Sequence, residues 1–169
     1  MVALFFIHAT LWGDEPSAEQ FAKSVVKSNV RLRSAGFEFG KQLGPILGGN
    51  PADAAALATT YAKLVKTLSQ IKDEMGTRKF PDSEEAINLF AAYQQFLQGQ
   101  TAMVTGDLAD VLVIAVDTDK NADEKKTQIE QLLEAMTNRE KADSGEMSLV
   151  FQAYVEAYKL DANSLLNDK

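Results

Sequence analysis

The sequence predicts an all-α protein, an up-down-up-down antiparallel four-helix bundle, and three observations carry that expectation. Apolar residues recur at seven-residue spacing along four separate stretches, which places them on one face of each helix and implies helix packed on helix. Cap-forming side chains stand where those stretches begin, and glycine or proline where they end. No stretch of useful length alternates apolar with polar residues as a half-buried strand would.

The first helix is expected over 17–44, with Val25, Leu32, Phe39 and Ile46 seven apart and Phe21 and Leu43 beside them. Ser17 stands three residues before Gln20, the spacing of a capping box, and Gly44-Pro45 with Gly48-Gly49 supply the stop. The second, over 51–76, has Leu57, Leu64 and Ile71 on one row and Tyr61, Leu68 and Met75 on the next. Asn50-Pro51 reads as a cap followed by proline in the first turn, where its missing N–H costs nothing, and Gly76 as the end. The third, over 82–117, is the most regular: Phe90, Leu97, Val104 and Val111 fall seven apart, Ile87, Leu108 and Ala115 lie on the adjacent row, and Asp82 precedes Glu85 by three.

The fourth helix, over 122–160, opens on Asn121 three before Glu124 and carries Ile129, Leu132, Leu133 and Met136. It resumes with Met147, Val150, Phe151, Tyr154 and Tyr158. Between these groups Thr137 to Gly145 has only Ala142 as an apolar residue, and Asp143 stands three before Glu146 like a fresh cap. A break or bend is therefore expected near 137–145. At 1.5 Å per residue the four rods are about 40–55 Å long. The tail beyond Leu160 is too short and polar to be a further domain.

A chain of 169 residues with 46% apolar content suits one domain, here 14–169, with a sizeable core. Without cysteine, that core must stand on packing, and thiolate zinc sites, c-type haem attachment and cysteine nucleophiles are excluded. The net charge of -7 and the scattered Lys and Arg residues disfavour nucleic-acid binding, which needs a basic footprint. Residues 1–13, MVALFFIHATLWG, carry no charged side chain and resemble the apolar part of an export signal, although a basic n-region is missing. The expectation is an exported protein, periplasmic or secreted after signal removal. A retained anchor or a segment packed on the bundle are the other readings. The stretch falls short of the roughly 20 apolar residues of a spanning helix, and no membrane span is expected in the mature chain.

The single histidine, His8, lies in that segment, so the mature body would hold no imidazole. Histidine triads, histidine zinc sites, haem ligation and the Glu-x-x-His pairs of di-iron bundles are thereby ruled out, and no cofactor is expected. Oxygen side chains at alternate positions, Asp117, Asp119, Asn121 and Asp123, echo the start of a calcium loop. Position six is Ala122 where glycine normally turns the chain, and position twelve is Gln128 where a bidentate Glu normally completes the shell, so a solvated loop with Asn121 as a cap competes with calcium.

Gly36, Gly40 and Gly44 form a row spaced by four, which strips side chains from one stripe of the first helix and lets another backbone approach closely, within the monomer or in a dimer or partner surface. A phosphate-binding loop at Gly36 to Lys41 fails, because three residues separate its glycines instead of four and no strand precedes it. Gln94 and Thr101 fall on the inward row of the third helix and Ser28 on that of the first; as buried polar groups they need partners, and they either line a ligand cavity or set the register of the bundle. Carboxylate pairs such as Glu84-Glu85 and Asp123-Glu124 sit at helix starts, where they favour the dipole, and nothing sets two of them across a cleft. The expected function is non-enzymatic: binding of a protein partner or of a second copy through the glycine stripe or an apolar seam. The alternative is a carrier of a small apolar or amphipathic ligand held between the helices near Gln94 and Thr101.

Overall fold

The computed structural model describes residues 17–166, and every regular element among them is helical: α1 (Ala18–Leu47), α2 (Ala54–Gly76), α3 (Glu84–Thr105), α4 (Asp107–Val116), α5 (Ala122–Ala157) and the short α6 (Ala162–Leu166). The signal-like segment 1–13, with His8, lies outside the described residues.

Caps set most of the helix starts, at positions the sequence only partly reveals. Ser17 and Gln20 form the reciprocal capping box on α1, at 3.1 and 3.2 Å, and Asn121 with Glu124 repeats it on α5, at 3.0 Å each way. On α2 the cap is Asp53, whose Oδ1 accepts the Ala56 amide at 2.9 Å; Asn50-Pro51 stays in the connection, because the aspartate stands directly before the alanine run and its charge complements the helix N-terminus. On α3 Ser83 takes the place expected of Asp82, accepting the Ala86 amide at 3.1 Å.

Three boundaries also differ from the periodicity. First, α1 passes through Pro45 to Leu47, since Gly44, having no Cβ, escapes the clash that a following proline imposes on its neighbour. The helix ends at Gly48, and Gly49 follows at φ 81°, a left-handed conformation that glycine adopts without strain. Second, the third rod is divided at Gly106, where φ -103° and ψ -87° leave the helix and a Cβ would lie 2.9 Å from the Ala102 carbonyl oxygen. Third, α5 is continuous through 137–145. Its Glu, Lys, Arg and Ala residues are good helix formers, so the loss of apolar residues leaves those roughly two and a half turns largely facing solvent without breaking the hydrogen-bond ladder. The α5 C-terminus is closed by Lys159 at φ 52° and by the Leu160 amide donating to Val155 at 3.0 Å.

The heptad rows become the core. Val25, Leu32, Phe39 and Ile46 of α1, Leu57, Leu64 and Ile71 of α2, Leu97, Val104 and Val111 of α3 and α4, and Ile129 and Tyr154 of α5 are all buried. Phe90 and Tyr61 are half-buried, and Ile87 is exposed at 51%, because Ala86 and Leu89 take the inward positions of the first α3 turn. One end is closed by aromatic rings, Phe21 against Phe80 (5.5 Å), Phe80 on Phe90 (4.6 Å) and Phe21 edge-on to Tyr154 (5.9 Å).

Neighbouring helices are joined at specific side chains. Arg31 and Glu38 of α1 pair with Glu74 and Lys63 of α2, each at 2.6 Å. Arg139 of α5 reaches Asp107 of α4 at 2.6 Å, and Gln95 of α3 donates to Glu146 of α5 at 3.4 Å. Tyr61 of α2 donates to the Val104 carbonyl at 3.1 Å, and Tyr154 of α5 to that of Ala18 at 3.1 Å. Helix α1 thus lies against α2, α5 and α6, while α2 also lies against α3 and α4, and α3 against α5. The stretch Glu84–Val116, contrary to the sequence expectation, is long and apolar enough by length and composition to cross a membrane; it is also the stretch that α2 and α5 pack upon.

Candidate functional site

Between α1 and α5 the core is incompletely filled. A cleft of about 830 Å³ opens there, floored by Phe96, Gln100, Met103 and Val104 of α3 with Leu64 of α2 and Leu108 of α4. The α1 wall runs from Val25 to Leu43 and includes Asn29, Gly36 and Gly40; the α5 wall runs from Leu133 to Phe151 and includes Met136, Thr137, Ser144, Met147 and Ser148. The local sequence explains the gap. Small residues on both walls leave too little side-chain volume to close the space that the large residues above and below hold open. Three methionines line it, side chains flexible enough to fit differently shaped apolar guests.

Two polar atoms of side chains in this lining have no hydrogen-bond partner among the described residues. Gln100 is 5% exposed and its Nε2 is buried without an acceptor, and the Oδ1 of Asn29 is buried without a donor. Each unmet group costs about 1–3 kcal/mol. Arg33 and Glu140, one charge of each sign, stand at the exposed rim. The arrangement offers apolar burial, with two unsatisfied amide atoms buried in its walls.

The polar residues singled out in the sequence fare differently. Thr101 is half-buried and its hydroxyl is spent on the Leu97 carbonyl of its own helix at 2.7 Å. Gln94 is half-buried and lies outside the cleft lining. Ser28 is buried and faces the Tyr93 hydroxyl, which nevertheless has no hydrogen bond of good geometry; burial pushes that phenol well above its ordinary range. Gln100 was missed because it stands one position off the row that Gln94 and Thr101 occupy. Its signal was its place three after Leu97 and four before Val104, both core residues.

Among the described residues the glycine stripe makes no close helix contact: a Cβ built at Gly36, Gly40 or Gly44 meets nothing beyond its own helix turn within 4 Å. Close packing against another of the described helices is therefore not its role, and two of the three glycines line the cleft. The Asp117 to Asp123 loop is likewise engaged otherwise. Asp117 holds Lys120 at 2.8 Å and accepts the Asp119 amide at 2.8 Å, Asn121 caps α5, and Asp123 lies in the first α5 turn. The Lys120 hydrogen bond, followed by that amide, holds the Asp117 carboxyl below its usual range. Among the described residues no three Asp, Glu, His or Cys side chains come together to hold a metal ion.

Comparison with known proteins adds no relative: no family model, no curated protein and no solved structure matches this chain.

Proposed function

We propose that this chain is a non-enzymatic binding protein, an up-down-up-down antiparallel four-helix bundle that carries a small apolar or amphipathic molecule in the cleft between α1 and α5. The observation that carries the reading is the 830 Å³ cleft with apolar walls and two buried, partnerless polar atoms. Its volume falls within the range of about 300–1,000 Å³ typical of small-molecule sites. The bundle topology is supported by the pairings above, in which residue numbers rise along α1 as they fall along α2, and likewise for α3 with α5, where Gln95 meets Glu146 and Gly99 lies close against Asp143. Residues 1–13 support export of the carrier, and the packing of α3 and α4 against α2 and α5 supports their assignment to a core and not to a membrane span. Native mass spectrometry of the protein recovered from its own host tests the carrier reading. A bound organic molecule that is lost in Gly40→Leu, where the new side chain enters the cleft, is the expected result, and an invariably bare chain overturns it.

A second reading has its own support. The uncovered stripe Gly36, Gly40 and Gly44 adjoins Phe37, which is 65% exposed with the Lys41 ammonium 4.6 Å from its ring centre, so the same surface of α1 suits a second copy or another protein. Sedimentation decides it: a wild-type dimer that Gly40→Leu converts to monomer favours association, and a concentration-independent monomer removes the homodimer.

A further inference from the structure

Resting on the carrier reading, we propose that in the full chain the apolar N-terminal segment, residues 1–13, occupies the cleft between α1 and α5, and that its removal opens the cleft to the ligand. The cleft is an apolar volume of about 830 Å³ that none of the described helices closes. The segment has no charged side chain, is apolar throughout from Val2 to Ile7, and stands just before α1 in the sequence.

Connectivity brings the two together. Ser17 caps α1, and at the next residue, Ala18, the Tyr154 hydroxyl of α5 donates to the carbonyl at 3.1 Å, so the chain enters the bundle at the head of the α1–α5 seam. The α1 wall of the cleft begins at Val25, about 12 Å further along the helix, and runs on for about 27 Å to Leu43. Asp14-Glu15-Pro16, polar and ending in proline, suit a reversal of direction. Thirteen residues span about 20 Å even as a helix and about 45 Å when extended, enough to run back along at least half of that wall. Charge fits too. The charged residues of the lining, Arg33 and Glu140, are exposed, so this occupant buries no ion. Gly36 and Gly40 leave room against α1, and Met136 and Met147 adapt to bulky apolar side chains on the other wall. A short tether keeps the segment at an effective concentration on the order of millimolar, so it holds the cleft against a free ligand until the tether is cut. The precursor is thereby closed and the mature chain open.

Trp12 is the one tryptophan of the chain, so its fluorescence reports on the segment alone. In the full chain with Met1 intact, its emission should be blue-shifted and its quenching by acrylamide several-fold weaker than that of N-acetyltryptophanamide, independently of protein concentration. Gly36→Leu, which fills the cleft, should remove that protection. The neutral dye Nile red should bind about tenfold more tightly when Leu4→Asp and Phe5→Asp are introduced together into the full chain, because a segment that fills the cleft about nine-tenths of the time lowers apparent affinity by that factor. Trp12 quenched as freely as the free amide, or equal dye affinity in the two chains, overturns the closure and leaves the carrier reading intact. Protection that grows with protein concentration or survives Gly36→Leu also overturns it, since the segment then lies in another copy or on another surface. Dye that binds neither chain, or that binds the Leu4→Asp, Phe5→Asp chain unchanged when Gly40→Leu is added, overturns the carrier reading as well.

Discussion

Replacing Gly36 and Gly40 together by alanine should stabilise the mature chain, residues 14–169, and the size of the gain follows from what surrounds them. Glycine in a helix interior is less favourable than alanine by about 0.8–1.0 kcal/mol, because it loses more backbone entropy on folding. The gain is realised only where the added methyl meets no neighbour, and at both positions no atom of the described residues beyond the local helix backbone lies within 4 Å of where it would stand. Gly44 is left out, since a Cβ on the residue before Pro45 would clash with the proline ring. Two sites in one rigid helix, sharing no partner, should add to about 1.6–2 kcal/mol. For a chain of this size that raises Tm by roughly 3–8 °C. Thermal and urea denaturation followed by circular dichroism at two protein concentrations is the assay. A lower Tm in the double variant, or a wild-type Tm that rises with protein concentration, would refute the argument, since either means that another surface already occupies the stripe.

Ser83→Ala should cost about 1–2 kcal/mol in urea denaturation, because the hydroxyl both caps the Ala86 amide and accepts the Tyr158 hydroxyl proton; a loss below a few tenths of a kcal/mol would show that neither bond matters. Alkaline titration should unfold the protein more readily than surface tyrosines would allow. Burial, then the neighbouring Tyr158, pushes Tyr154 from 10.0 up to about 12, so the unfolded chain releases this proton first; stability is intact below pH 10.0 and falls as pH rises toward about 12. Tyr154→Phe should flatten that decline, and an unchanged pH profile would contradict it. Saturation of the cleft in the mature chain with Nile red at about a hundredfold over its Kd should add about 2.7 kcal/mol, or roughly 5–11 °C in Tm, and a Tm indifferent to the dye would contradict occupancy of the folded state.

Helices were legible in the sequence wherever apolar residues recur without interruption, because burial of one face is both the signal that is read and the force that folds the chain. The rows through Val25 to Ile46 and Leu57 to Ile71 are buried throughout. Polar stretches were misread, since an absence of apolar residues says which face is wet and not whether the backbone bends. That is why a break was expected in α5, which is continuous, and none at Gly106, where one glycine in an apolar run divides the rod. Caps were ambiguous wherever two candidates stood close together, as at Asn50 and Asp53 or Asp82 and Ser83, because only the geometry decides which oxygen reaches the first free amides. The cleft was not legible at all. It arises from small residues on two helices about a hundred positions apart, and nothing along either helix alone records that they face one another.

The distribution of polar links explains why the opening falls between α1 and α5. The ion pairs of α1 at Arg31 and Glu38 go to α2, whereas in α5 the ion pair of Arg139 goes to α4 and the hydrogen bond of Glu146 to α3. Gly99 tightens the second pairing further, since a Cβ there would stand only 2.5 Å from Asp143 Oδ2, so α5 approaches α3 at the very turn where α5 is most polar. The polar links thus join α1 with α2 and α3–α4 with α5, and the two pairs are tied at one end by the aromatic cluster and by Tyr154 reaching Ala18, and on the side away from the cleft by α2 packing on α3 and α4, with Tyr61 reaching Val104. Along the middle of the seam, the glycines of α1 face Thr137, Ser144 and Ser148 of α5, the residues with least bulk to close it. The polar stretch of α5 is thus the rim of a cleft, which needs a continuous helix to carry it, and a guest that fills the seam replaces contacts that α1 and α5 do not make with each other there.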